Sequence, residues 1–253
     1  MIKIGCAAYS YRIYFESGTM GYEEFIEEAH NIGLDGVELT LYWLPSEETD
    51  YLRNLRRLAL FHGLPISCAG ISTDFCNPNP LERSRMIMEV KKGLKIAKEL
   101  GAPVLRIFGG NLPEGFTEVK AMGWTIGALK ECVNYAKEVG VVIAIENHGG
   151  ITARADSLIS LVREVDSPWL AVNLDLGNYR ESTYEDIAKT IHYTVHIHGK
   201  LRVAGGGDVD YEKVKRLLKD AGYNGFISIE YEEEGDPKTG VREFATYLMN
   251  LFR

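Results

Sequence analysis

The sequence predicts an α/β chain closed into one (β/α)8 barrel, and three observations carry that prediction. Strand-like and helix-like segments alternate along all 253 residues. The alternation gives eight strand–helix units, the number that closes a parallel sheet on itself. No Ser- or Pro-rich linker and no charge run interrupts the chain, so a single domain over residues 1–253 is expected. A doubly wound sheet is the competing arrangement, but the first strand–helix turn, Ala8–Thr19, lacks a dinucleotide fingerprint.

Strand-like Ile2–Ala8 opens the chain and is followed by a helix over Gly21–Ile32, with Tyr22, Phe25, Ile26 and Ala29 on one face. Gly36–Thr40 reads as the second strand, and Ser46–His62 as a helix stopped by Gly63. Strand Pro65–Ile71 leads to a long helix, Leu81–Leu100, whose Ile87, Val90, Leu94 and Ala97 recur at three-and-four spacing. Strand Val104–Phe108 and a helix within Thr117–Val139 precede the apolar run that starts at Val141 and ends on Glu146, Asn147 and His148. A helix within Thr152–Val165, strand Leu170–Asp175, a short helix near Tyr184–Thr190 and strand Tyr193–His198 continue the order. Helix Tyr211–Ala221, strand Phe226–Glu230 and helix Val241–Phe252 finish it. Gly33, Gly63, Gly101, Gly140 and Gly222 follow predicted helices, where a left-handed cap is needed.

Bulk properties narrow the function classes. The net charge of -8 argues against nucleic acid, since phosphate binding draws on Lys and Arg. No apolar run approaches a bilayer-spanning length, and Met1–Gly5 passes directly into strand-like sequence, so no signal peptide is expected. Cys6, Cys68, Cys76 and Cys132 form no CxxC pair and read as free thiols of a cytoplasmic protein. A small-molecule ligand is the expectation that remains.

Strand alternation locates the chemistry. Residues facing the helices must be apolar, whereas inward residues near the top of a barrel can be polar. Val141, Ile143 and Ile145 take the outer face of their strand and leave Glu146 inward. Asp175 shares parity with Asn173, and Glu230 with Ser228. His196 and His198 share one parity opposite Val195 and Ile197, so alternation leaves either as the inward ligand. Glu146, Asp175, His198 and Glu230 are separated by 29, 23 and 32 residues, each about one strand–helix unit. Carboxylates crowded in one pocket repel without a cation. The set therefore predicts one divalent metal; oxygen-rich ligation with one imidazole suits Mn, Mg or Co and admits Zn.

The stretches Asp74–Pro78, Val104–Gly110, Ile145–His148, Asn173–Asn178, His196–His198 and Ile227–Glu230, in this order and spacing, resemble the xylose isomerase-like TIM barrels. That sugar phosphate isomerase/epimerase superfamily includes ketose 3-epimerases, hydroxypyruvate isomerases and inosose dehydratases. The resemblance covers nearly the whole chain. It implies Glu146, Asp175, His198 and Glu230 as the four metal ligands, with His198 matched to the second His of the His-x-His run. It also implies Glu146 and Glu230 as the acid/base pair. Many relatives carry His where this chain has Asn178, three residues after Asp175. Relatives often pair or form tetramers, so the likeness admits a homo-oligomer.

The expected enzyme is a metal-dependent isomerase or epimerase of carbohydrate substrates. The metal would grip adjacent oxygens of a sugar, sugar phosphate or hydroxy-keto acid and stabilise an enediolate, with a carboxylate on either side moving the proton. His148, Asn178, Arg106 and Lys200 are the candidate substrate contacts. Glu38 and Arg106 both point inward, and the sequence supports an internal ion pair between them equally well. Trp43, Phe75, Phe108 and Trp124 offer aromatic walls or plain packing. Gly205–Asp208 reads as a flexible turn able to lid the site, without a P-loop Lys-Ser/Thr. Dehydration of a keto-polyol begins with the same proton removal and stands as the alternative. An endonuclease would need a His-rich zinc cluster and a basic groove, which six histidines and the acidic balance disfavour. A Schiff-base aldolase would want a Lys within a strand end, and a non-catalytic sugar-binding barrel is the remaining reading.

Overall fold

The computed structural model describes residues 1–253. Eight parallel strands form a closed barrel in sequence order: β1 (Lys3–Ala7), β2 (Gly36–Thr40), β3 (Ile66–Gly70), β4 (Val104–Phe108), β5 (Val142–Glu146), β6 (Leu170–Asp175), β7 (Thr194–Gly199) and β8 (Phe226–Ile229). The helices are α1 (Arg12–Glu16), α2 (Tyr22–Ile32), α3 (Thr49–Phe61), α4 (Pro80–Leu100), α5 (Glu118–Val139), α6 (Ala155–Val165), α7 (Thr183–Thr190), α8 (Tyr211–Asp220) and α9 (Pro237–Phe252). Every expected strand and helix is present, with ends displaced by at most a few residues.

Two differences have local causes. The last helix starts a turn before the expected Val241, because Asp236 caps it through its carboxylate and Pro237 occupies its first turn. The short α1 lies in the first strand–helix connection, where no apolar period announces it. All five glycines expected to end helices have positive φ.

The two faces of the barrel wall are chemically different. Leu105, Ile107, Ile143, Ile145, Val172, Leu174, Ile197, Ile227 and Ile229 are fully buried in the apolar layer with the helices. Inside the barrel, Cys68, Val104 and Ala144 form a small separate apolar cluster. Buried polar side chains, including Glu38, Ser67, Arg106, Asn173, His196 and Ser228, take up much of the remaining interior. A register shift between β6 and β7 pairs Asn173 with His196 and Asp175 with His198, passing over Val195. Such a bulge re-aims side chains at the rim of a barrel. Here it sets both histidines beside the polar residues of β6.

Candidate metal centre

Glu146 and Asp175 are the last residues of β5 and β6, His198 stands near the end of β7, and Glu230 directly follows β8. All four are buried, and each offers a ligand atom within 4.8 Å of the others. The sequence-predicted quartet therefore meets at the carboxyl-terminal mouth of the barrel, where enzymes of this architecture carry their sites.

The two nitrogens of His198 have different surroundings. Nε2 lies 3.0 Å from each oxygen of Glu38. Nδ1 faces the carboxylates, 3.5 Å from Glu146 Oε2, 3.5 Å from Glu230 Oε2 and 4.0 Å from Asp175 Oδ2. His196 is spoken for one layer deeper: Nδ1 meets Asn173 Oδ1 at 2.8 Å, and Nε2 meets Ser228 Oγ at 3.0 Å. Depth rather than parity separates the two histidines, and alternation carries no information on depth.

Buried polar atoms without partners mark what the pocket accommodates. His198 Nδ1 and Asp175 Oδ2 make no hydrogen bond, although both are buried and face one another. Orphaned buried polar atoms are rare and costly. A divalent cation would satisfy both at once, and three carboxylates with one imidazole are a suitable donor set. Glu38, His196 and His198 also cluster, but Glu38 is already hydrogen-bonded to His198. That second group is a hydrogen-bonded network.

The site is braced from several elements. The Asn147 amide donates to the Asp175 carbonyl at 2.9 Å and accepts from the Asp175 N–H at 2.7 Å, clamping β5 to β6. Gly177 N–H donates to Asp175 Oδ1 at 2.8 Å, which leaves Oδ2 turned to the pocket. Asn173 and Asn178 donate to the two oxygens of Glu146, at 3.2 and 3.4 Å. Ser10 Oγ donates to the Ile229 carbonyl and accepts from Tyr231 N–H, holding the backbone on either side of Glu230.

Charge is distributed unevenly over these groups. Burial is the largest influence on the Glu38 carboxyl and would raise it, but the charge and hydrogen bond of His198, with His196 and Arg106 adding to them, outweigh burial and lower it to about 2. Burial also opposes protonation of His198, yet Glu38, Glu230 and Glu146 together push its imidazole well above the ordinary value. Burial, with Glu230 and Glu146 adding to it and Lys200 opposing, raises Asp175 to about 7. Glu146 is likewise raised by burial, whereas Glu230 is held well below the ordinary range because His198 and Lys200 overcome its desolvation. Environments that drive two carboxylates apart in this way are typical of acid/base pairs.

The other expected residues fall into place unequally. Arg106 Nε lies 3.3 Å from Glu146 Oε2, and its guanidinium sits 4.4 Å from the centre of the Phe108 ring. The Glu38–Arg106 ion pair does not form, because His198 engages Glu38 and Glu146 engages Arg106. The His148 ring lies 4.1 Å from the Phe108 ring, tilted by 31°. Lys200 turns inward over the quartet, 3.3 Å from Asp175 Oδ2 and 3.2 Å from Glu230 Oε2. Its ammonium also lies 3.5 Å from Asn178 Oδ1. Among the aromatics, Phe75 is fully buried and Trp43 stacks between Phe15 and Tyr9. Trp124 packs against Phe116 and Arg83. Only Phe108 joins the site. The glycine turn is closed by an Arg202–Asp208 bridge and docks through Ala204 N–H on the Gly177 carbonyl.

Sequence reasoning did not single out Tyr9, Tyr42, Ser10 or the clamping role of Asn147. Tyr9 and Tyr42 follow β1 and β2, and burial raises both phenols, with Glu230 adding to each. Their signal was available in position alone: each lies within four residues of a predicted strand end.

The description "xylose isomerase-like TIM barrel" belongs to the family model that matches residues 26–251. Hydroxypyruvate isomerase of Escherichia coli (strain K12) is 23% identical over 239 residues, covering 87% of this chain and 92% of that protein. A structure of L-ribulose 3-epimerase superposes with a TM-score of 0.82 at 15% identity, covering 99% of this chain and 94% of the other. The probable 3-DHS dehydratase AsbF of Bacillus anthracis superposes with a TM-score of 0.80 at 17% identity, over 98% and 99% of the two chains.

Proposed function

The chain belongs to the xylose isomerase-like TIM barrel family, and from that membership we propose a divalent-metal-dependent isomerase or epimerase acting beside a carbonyl of a small hydroxy-carbonyl substrate. One observation carries this reading: His198 Nδ1 and Asp175 Oδ2 are buried, make no hydrogen bond and face each other 4.0 Å apart among carboxylates. Glu146, Asp175, His198 and Glu230 would hold the ion, with Mn, Mg or Co suited to the donor set. When bound, it supplies Lewis acidity to the substrate's adjacent oxygens and so acidifies the intervening C–H.

The protein's own groups do the proton work. Glu146 and Glu230 stand on β5 and after β8, so a substrate between them presents opposite faces to the two carboxylates. Burial makes Glu146 the stronger base of the pair, and the amides of Asn173 and Asn178 fix its orientation. Arg106 balances the charge of Glu146, while His148 and Asn178 lie at the mouth, positioned to bond substrate hydroxyls. Return of the proton to carbon by the second carboxylate gives an isomer or epimer, whereas its delivery to a departing hydroxyl gives dehydration, and product analysis separates the two.

The test is incubation of the Mn-loaded protein in D2O with hydroxypyruvate, D-fructose and D-tagatose, followed by NMR. The expected result is deuterium at the carbon next to the carbonyl, with an isomer or epimer as product. Loss of water instead would select dehydration. No exchange with any of these substrates under Mn, Mg or Co would sink the reading.

A further inference from the structure

Lys200 reaches into the quartet from the end of β7, and its side chain is 13% exposed. Its ammonium lies 3.3 Å from Asp175 Oδ2 and 3.2 Å from Glu230 Oε2, the two oxygens that face His198 Nδ1. A tighter contact runs in the other direction, 2.5 Å to Glu232 Oε2, on a carboxylate that is 40% exposed and outside the quartet. Asp175 Oδ2 remains without a hydrogen bond despite the nearby lysine. Lys200 thus neutralises the quartet loosely and grips Glu232 firmly.

We propose that Lys200 is a displaceable counter-ion: it balances Asp175 and Glu230 until a divalent cation takes those oxygens, and then withdraws onto Glu232. The proposal rests on the metal reading of the quartet and adds to it how the site is kept neutral and then cleared. Two cations bound to the same two oxygens repel strongly in a buried site, so one must leave. Glu232 gives the ammonium a destination it already contacts, and Asn178 Oδ1 at 3.5 Å lies beside it. Without any cation, the carboxylates of Asp175 and Glu230 would face each other uncompensated. The lysine therefore holds the pocket formed, at the cost of competing with the ion.

Calorimetric titration of Mn2+ into chelator-stripped wild type, Lys200→Met and Glu232→Gln tests this. Lys200→Met is expected to bind Mn2+ at least about tenfold more tightly, because the competitor is gone. Glu232→Gln is expected to bind several-fold more weakly, because the ammonium then stays on Asp175 and Glu230. Its lysine and all quartet carboxylates are intact, so it reports even if Lys200→Met folds poorly. Melting curves supply a second readout: the rise in Tm on adding Mn2+ should be larger in Lys200→Met than in wild type. Equal or weaker binding by Lys200→Met, or unchanged binding by Glu232→Gln, would overturn the exchange and leave the metal site standing. Absence of Mn2+ binding by all three proteins would overturn both.

Discussion

Both oxygens of Glu38 lie 3.0 Å from Nε2 of His198, and the opposite nitrogen of the ring points at three carboxylates. The Nε2–H donates to Glu38, which reserves Nδ1 for whatever the carboxylates surround. A carboxylate behind a metal-binding histidine fixes its tautomer and strengthens it as a donor. Glu38→Ala should therefore weaken Mn2+ binding by about 10- to 100-fold. Glu38→Gln keeps an acceptor for the Nε2–H and should lose less. Unaltered affinity in Glu38→Ala would show that His198 needs no such orientation.

Glu146 and Glu230 are expected to fail differently when neutralised. Either Glu→Gln change should abolish exchange of substrate C–H for solvent deuterium, because each removes a carboxylate proposed both to hold the ion and to serve one face of the substrate. His198 and Lys200 hold Glu230 well below the ordinary carboxylate range, whereas burial raises Glu146, so Glu230→Gln removes the carboxylate whose charged form the fold favours. That variant should lower Tm more than Glu146→Gln, in which Arg106 still donates to the Ile71 carbonyl at 3.1 Å. Normal exchange by either variant removes that residue from the mechanism.

How far the sequence carried the fold and the site follows from what each signal encodes. Alternating period fixes which face a strand residue takes, so the inward placement of Glu146, Asp175 and Glu230 was legible. It says nothing of how deep a residue sits, and His196 and His198 differ only in depth. The β6–β7 register shift that aligns them with Asn173 and Asp175 depends on pairing between strands, which no single-strand pattern contains. Inward parity alone leaves Arg106 open as a substrate contact or as a partner for Glu38. The length of the arginine side chain carries its charge up to Glu146 instead. Lys200 lies beyond the predicted end of the seventh strand, where the sequence offers it as a substrate contact but gives no sign that it pairs with the quartet. Only the closed barrel folds it back over Asp175.

Gly70 lies beneath that arginine. A Cβ at residue 70 would stand 2.8 Å from Arg106 Nη2 and 3.0 Å from its Cζ. The guanidinium is buried between Glu146 and Phe108 and has little room to retreat. Gly70→Ala should cost about 1–3 kcal/mol of stability as an overpacking change. It should also impair catalysis, because the displaced arginine no longer balances Glu146. Denaturant unfolding with m unchanged would confirm the stability loss, and a wild-type midpoint would refute the packing argument.

Alkaline pH should unfold the protein through its cysteines. Cys6, Cys68, Cys76 and Cys132 are free and buried. Burial pushes the thiols of Cys6 and Cys132 from 9.0 to about 12. Below pH 9 these thiols are protonated in both folded and unfolded chains, and their contribution to stability is constant. Above 9 the unfolded chain releases the protons while the native one keeps them. Stability then falls by roughly 1.4 kcal/mol per pH unit for each such thiol, until pH passes about 12. Buried tyrosines whose phenols are raised by desolvation, such as Tyr11 and Tyr223, act in the same direction at higher pH. Urea midpoints measured from pH 8 to 11 should decline, and a Cys6→Ala/Cys132→Ala double variant should decline less steeply. At pH 8 the native protein should give no reaction with a thiol reagent until denaturant is added. A flat midpoint across this range, or rapid native labelling, would mean that the thiols are not sequestered as the barrel places them.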